Sequence, residues 1–283
     1  MEVDAVPHPV AIGGLGGSGT RAFATLLKLN GYYIGADLNE AEDNLWFTLL
    51  FKRGSILVET AERFRTLSDI FFAAMQGDNR LTLANLPIIR SLAEEDRLQH
   101  GQAWLEERIQ TLISCGSPKT SSRAWGWKEP NTHVIIDRFL QFNDKLKYIH
   151  VLRNPYYMAQ SSNQNQMENW GPVFFSRDVL KSSRNALRFW RLTHERAQLL
   201  EQTWPDRVRL IWYEDLMENP TVVTEYVARF LGIKAHHDAV SRFLEYGGQM
   251  QAMPSITKAN LSEFYEKDVI YADRLLQSRG FCC

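Results

Sequence analysis

An α/β fold, with a mostly parallel central sheet, helices on both faces and one long helical insertion, follows from three features of this sequence. Four short apolar runs, at residues 9–14, 124–128, 147–152 and 207–213, have the length and composition of buried strands. The first, third and fourth each pass through turn residues into a helical pattern, the rhythm by which a doubly wound sheet is threaded. At 283 residues, 45% of them hydrophobic, the chain can bury one large core. No repeat, low-complexity tract or Pro/Gly/Ser linker divides it, so a single domain over 1–283 is expected.

Composition narrows the function classes. No run of about 18 apolar residues is present, so no membrane span is expected. The first ten residues are short, acidic and proline-containing, unlike a secretory signal. A formal net charge of -1 gives no field that gathers nucleic acid, so any anion site has to be local. Three cysteines, Cys115, Cys282 and Cys283, are too few for a disulfide framework and point to a reducing, cytoplasmic setting. The terminal Cys282-Cys283 pair lacks the polybasic stretch of a prenylated tail and reads as unmodified.

The first strand opens into Gly13-Gly14-Leu15-Gly16-Gly17-Ser18-Gly19-Thr20 and then a helical stretch at 21–29. Glycines let backbone N–H groups close on an anion at a helix N-terminus, and Ser18 and Thr20 add hydroxyl donors. Which anion is open on these residues alone. Gly14, Gly19 and Thr20 fit a Walker A loop, but that pattern needs lysine where Thr20 stands, which disfavours an NTPase. Gly14, Gly16 and Gly19 also fit the dinucleotide GxGxxG, with Asp37 placed 18 residues after Gly19 as the ribose acid.

Residues 39–122 read as mostly helical and carry Trp46, Phe47, Phe51, Phe64, Phe71, Phe72 and Trp104, which form either the insertion's own core or the lining of an acceptor pocket. The second strand ends in Lys128-Glu129-Pro130, where proline stops the strand and opens a helix. The third ends in Arg153, followed by a helix opened by Pro155, with Ser161 eight residues on. Arg177, Lys181, Arg184, Arg188 and Arg191 recur at helical spacing as a basic stripe, read as a solvated face or a track for an anion. The fourth strand leads into Tyr213-Glu214-Asp215-Leu216, whose acids suit a helix start, and a helix at 221–231 ends at Gly232.

Taken together, these motifs resemble the sulfotransferase family. The glycine loop is similar to that family's 5′-phosphosulfate loop, in which Ser-Gly-Thr opens the first helix. The strand-Arg-x-Pro-helix-Ser arrangement of Arg153 and Ser161 is similar to the clamp on the 3′-phosphate of 3′-phosphoadenosine 5′-phosphosulfate (PAPS). A planar guanidinium grips phosphate through two bonds, and a hydroxyl adds a third. Lys128 resembles the strand-end lysine of Lys-x-Pro in bacterial members, where it neutralises charge on the sulfuryl group. Tyr213 resembles the tyrosine beside the nucleotide.

The resemblance implies a P-loop-like three-layer domain, PAPS as co-substrate, no metal, and a small-molecule or carbohydrate acceptor. It assigns Gly16, Gly17, Ser18, Gly19, Thr20, Arg21, Arg153, Ser161 and Tyr213 to the donor. One departure stands out: members carry Lys or Arg before Ser-Gly-Thr, where this chain has Gly17, and Arg21 is the expected substitute. The family's Arg-Lys-Gly stretch is absent from 249–283, as in a divergent bacterial-type member. For the base, some members use a histidine just after the strand-end lysine, where this chain has Glu129 and Pro130 with His133 farther on; others use a glutamate shortly after the first helix, where Asp37, Glu40, Glu42 and Asp43 lie, with Glu40 first and Asp37 second. Two other readings stand beside transfer: an NAD(P)-binding Rossmann oxidoreductase, and a nucleotide-binding homologue inactivated at Gly17.

Overall fold

The structure, a computed structural model, describes residues 7–77, 85–97, 99–114, 124–175, 180–236, 238–247 and 262–279. Cys115, Arg177, Cys282 and Cys283 lie outside them. The first strand, β1 (Val10–Gly14), is buried along its whole length, as a central strand of a parallel sheet has to be. Helix α1 (Thr20–Leu29) follows, then α2 (Leu45–Phe51), α3 (Ala61–Gln76), α4 (Asn85–Ser91) and α5 (Gln102–Ile113) in the segment expected to be helical. Strand β2 (Gly126–Lys128) is shorter than 124–128; just ahead of it the Trp125 carbonyl accepts from the Val10 N–H at 3.2 Å and Trp125 bridges to Tyr33.

A 3-10 turn over Pro130–Val134 leads to α6 (Ile136–Phe142), β3 (Lys147–Leu152), α7 (Pro155–Gln160), α8 (Asn165–Phe175) and α9 (Ser183–Thr203). Then come β4 (Val208–Trp212), α10 (Tyr213–Glu218), α11 (Pro220–Leu231), α12 (Ala239–Gly247) and α13 (Glu266–Ser278). Two boundaries differ from the sequence reading. Helix α9 starts only at Ser183, because Ser182 caps it by accepting from the Asn185 N–H, so Lys181 lies ahead of the helix. Helix α7 is six residues long, and Ser161 closes it instead of lying within it.

All four strands are parallel, in the order β2-β1-β3-β4. Side chains alternate across the sheet and build a core on each face. Val10, Ile12, Ile149, Val151 and Ile211 pack against α1 and α11, while Ala11, Tyr148 and Trp127 face the insertion and α9. The insertion's aromatics are spent in that second core. Phe51 lies 5.0 Å from Phe139, and Phe71 lies edge-on to Trp127 at 5.2 Å. Phe47, Phe51, Phe64 and Phe71 are almost wholly buried, so of the two readings it is the core that holds for them.

The chain leaves β1 toward α1 on one face and leaves β3 toward α7 on the other. Between these two central strands the winding reverses, and the diverging connections open a crevice beyond their carboxyl ends. Gly14 pairs with Val151 and Leu152 with Trp212, so the glycine loop, Arg153 and Tyr213 all leave the sheet at that crevice.

Candidate active site

Past Gly14 the chain turns tightly, with the Ser18 N–H donating to the Leu15 carbonyl at 2.9 Å. Gly17 and Gly19 take φ values of +91 and +92, a region costly for any residue with a Cβ. At Gly19 a Cβ would also overlap the Tyr213 ring, whereas at Gly17 there is room. Helix α1 begins at Thr20 with no side chain capping its first N–H groups. Those donors remain for an oxyanion. Ser18 is buried, and its hydroxyl has no partner among the described residues.

Arg153 faces this loop from the end of β3. Its guanidinium lies between the rings of Tyr157, 3.8 Å away, and Tyr213, 4.7 Å away, and Nη1 donates to the Gly17 carbonyl at 2.7 Å. Its Nε is buried without a partner. The surrounding backbone is fixed on both sides: Trp190 Nε1 donates to the Arg153 carbonyl at 3.1 Å, and buried Glu214 accepts from the Asn154 N–H at 2.8 Å. Glu214 is thereby a cross-link from the start of α10 to β3. Burial raises the Tyr213 hydroxyl above its ordinary pKa, so that group stays a neutral donor.

The third wall comes from β2 and the start of the insertion. Lys128 is 3% exposed and forms an ion pair with Asp43, while also donating to the Ala41 carbonyl at 2.8 Å. Asn39 holds the other Asp43 oxygen at 2.9 Å, and the Asn44 N–H donates to the Lys128 carbonyl at 2.8 Å. The acidic loop is thus fastened along the edge of β2.

These walls enclose a cavity of about 550 Å³. Gly16, Gly17, Gly19, Thr20, Arg21, Lys128, Arg153 and Tyr213 all line it. Ser161 sits beside it, its hydroxyl 3.8 Å from the Cβ position of Gly17. Arg21 is exposed and free of ion pairs or hydrogen bonds among the described residues. Asp37 and Glu40 are not in the lining. The Asp37 carboxylate accepts from Thr111 and from Arg108 at 3.2 Å, and Glu40 is exposed to solvent. The basic stripe is also elsewhere, with Arg191 paired to Asp268 and Glu195 and Arg184 bonded to the Glu263 carbonyl. Among the polar lining residues, Tyr157 and Asn163 carried no assignment in the sequence reading, and Asp43 was only one of the four acids after α1, ranked behind Glu40 and Asp37. Tyr157 had a usable signal, since it lies one helical turn beyond Arg153 at the start of α7.

A parallel sheet with a glycine loop and a strand-end arginine at its switch point defines an α/β, P-loop-like protein. A profile described as the sulfotransferase family matches residues 9–238, and the chain belongs to that family of transferases. No curated protein matches the chain. Its fold is similar to that of sulfotransferase STF9 from Mycobacterium avium, with a TM-score of 0.51 and 16% identity over 96% of this chain and 77% of that one. The sulfotransferase domain of the Synechococcus PCC 7002 olefin synthase is 19% identical over 98% of this chain and 90% of that one, with a TM-score of 0.46. Among the described residues no helix is long and apolar enough to cross a membrane, and no group of three His, Cys, Asp or Glu is placed to hold a metal ion.

Proposed function

We propose that this protein moves a sulfuryl group from PAPS to a hydroxyl or amine of a small-molecule or carbohydrate acceptor. The observation that carries the reading is the convergence of Arg153 and the glycine loop on one cavity, with the Arg153 guanidinium bonded to Gly17. The residues present fit the donor. Ser18 Oγ and Arg153 Nε are buried without partners, and the first N–H groups of α1 have no side-chain cap. A buried donor left unpaired costs about 1–3 kcal/mol, which an anionic ligand would recover. In this reading the loop and Arg21 take the 5′-phosphosulfate, while Arg153 and Ser161 take the 3′-phosphate.

Transfer breaks the sulfur–oxygen bond to the 5′-phosphate and forms a sulfur–oxygen bond to an acceptor hydroxyl or a sulfur–nitrogen bond to an acceptor amine. The acceptor proton leaves to a base, and 3′-phosphoadenosine 5′-phosphate (PAP) is the second product. Lys128 offsets charge that builds on the leaving oxygen. Of the four acids after α1, Asp43 is the one that lines the cavity, and we assign it the base role in preference to Glu40 and Asp37. The oxidoreductase alternative loses its ribose acid, because the Asp37 carboxylate is committed to Arg108 and Thr111.

Calorimetric titration with PAP, AMP and NAD(P) tests the donor. Preference for PAP over AMP is expected, and preference for NAD(P) would overturn the reading. Transfer of labelled sulfate from PAPS to an acceptor panel then separates an active enzyme from an inactive binder.

A further inference from the structure

A second cavity, of about 250 Å³, lies behind the end of β2, walled by Lys52, Arg53, Arg97, His100 and Trp170. It neighbours the donor cavity through alternate residues of one strand end. Lys128 and Pro130 line the donor side. Glu129 lies 4.0 Å from Lys52, and Asn131, which donates to Glu129, accepts from Trp170 at 2.7 Å.

The charges in this cavity do not cancel. Arg53 is neutralised by Glu59 and by Glu95 at 2.9 Å. Arg97 feels Glu95 without a hydrogen bond to it and donates instead to two carbonyls, Thr48 and Leu92, each at 3.1 Å; among the described residues its Nε is buried without a partner. Among the described residues Lys52 has only Glu129, beyond hydrogen-bond reach. Burial pushes that carboxyl up to about 7, against the pull of Lys52, so its negative charge is weak near neutrality. Asp96 is the one acid in the described lining, and it is exposed.

His100 completes the arrangement. Its ring is stacked on Trp104 at 4.1 Å, and among the described residues its Nε2 is buried with no partner. Burial first, with Lys52 and Arg97 after it, draws the imidazole down to about 4, so the ring is neutral near pH 7. We propose that this cavity is an oxyanion site, in which Lys52, Arg97 and His100 take a carboxylate, sulfate or phosphate group. Two sources offer that chemistry: an acidic group on the acceptor, reaching past the end of β2, or a free anion. The site itself does not rest on the sulfuryl-transfer reading; only the acceptor source does.

The test titrates sodium sulfate into protein saturated with PAP, at fixed ionic strength made up with chloride. It follows the His100 ring resonances, assigned with His100→Gln. A saturable shift is expected with sulfate and none with chloride. Lys52→Met should weaken the sulfate affinity about tenfold, as loss of one charge-assisted contact would, with PAP affinity unchanged. No saturable shift, or an equal affinity in Lys52→Met, overturns the site. Failure of PAP to bind would sink the donor reading instead, and the sulfate titration then proceeds on the free protein. Paired phenols that differ only in a carboxylate or its primary amide identify the source. A preference of about tenfold or more in kcat/KM for the acid, lost in Lys52→Met, assigns the anion to the acceptor. Equal use of the pair, with sulfate binding intact, assigns it to a free anion.

Discussion

Arg153 Nη1 donates to the carbonyl of Gly17 at 2.7 Å, so the residue expected to hold the 3′-phosphate is tied to the loop expected to hold the 5′-phosphosulfate. The two halves of the proposed donor site are therefore one mechanical unit. Tyr157 and Tyr213 clamp the guanidinium from either side, and Trp190 and Glu214 fix the backbone around it. A guanidinium held in this way loses little side-chain entropy when a phosphate arrives.

Arg153→Ala should therefore lower PAP affinity by about 10- to 100-fold, the worth of one charge-assisted, two-bond contact. The loss should be specific: AMP, without a 3′-phosphate, should bind the variant and the parent protein within a few-fold. Calorimetry with both nucleotides reads the ratio. An unchanged preference for PAP over AMP would remove Arg153 from the 3′-phosphate.

Gly19 makes a sharper test of the loop. Its φ of +92 and the Tyr213 ring against it oppose any side chain, whereas Gly31 has a φ of +83 with nothing within 4 Å. Gly31→Ala thus reads the backbone cost alone, about 1–2 kcal/mol. Gly19→Ala should cost more than that in urea unfolding and should weaken PAP binding, because Tyr213 has to move. Equal costs at the two positions would show that the contact between Gly19 and Tyr213 contributes nothing.

The sheet and the loop were legible because they rest on local chemistry. Glycines between an apolar strand and a helix, and Arg-Asn-Pro after another strand, give the same signal whatever surrounds them. The two donor anchors needed only the parallel pairing of β1 with β3 to meet. The acids after α1 were not legible in the same way. Asp37, Glu40 and Asp43 differ in role through tertiary partners: Arg108 and Thr111 are 71 and 74 residues from Asp37, and Lys128 is 85 from Asp43. No local pattern encodes such pairings. Of the two readings of the basic stripe, the solvated face fits exposed Lys181 and Arg184, while the spacing took no account of Ser182 capping the helix or of Asp268 claiming Arg191.

Asp43 and Glu40 can be separated by kinetics. Asp43→Asn should reduce kcat by about 100-fold or more, as loss of a general base does, with PAP affinity within about threefold of the parent protein. Glu40→Gln, at an exposed position, should retain turnover and stability within about 0.5 kcal/mol. The ion pair with Lys128 adds a control, because Asn at position 43 frees the ammonium without removing it. If Lys128→Met loses turnover while Asp43→Asn keeps it, Asp43 serves only to position the lysine. Full turnover in Asp43→Asn together with a loss in Glu40→Gln would return the base role to Glu40.

Acid should destabilise the fold through histidines buried behind the loop. His133 accepts no charge readily: burial, then Arg196, draws it down to about 3, and burial draws His194 down to about 4. His150, bonded to Tyr148 at 2.8 Å, is also held well below its ordinary value by burial. Their folded pKa values lie below the unfolded 6.5, so the unfolded chain binds protons first. Stability from these groups is complete above pH 6.5 and falls as pH drops toward 4. Glu129 acts with the opposite sign, since its folded value of about 7 exceeds the unfolded 4.5 and its protonation favours the fold between those limits. With His100, drawn down to about 4, four histidines outweigh one glutamate, leaving a net loss of about 3 kcal/mol per pH unit near pH 5.5. Urea unfolding at pH 7, 6 and 5.5 measures the slope, and His133→Gln should reduce it by about one proton's worth, provided its m-value matches the parent's. Because His133 stays neutral in the folded protein until about pH 3, its link through Gln166 to the Gly14 carbonyl, 3.2 Å at each step, should not carry that curve into PAP affinity. A flat unfolding midpoint between pH 7 and 5.5 would mean that these histidines take up protons in the folded state.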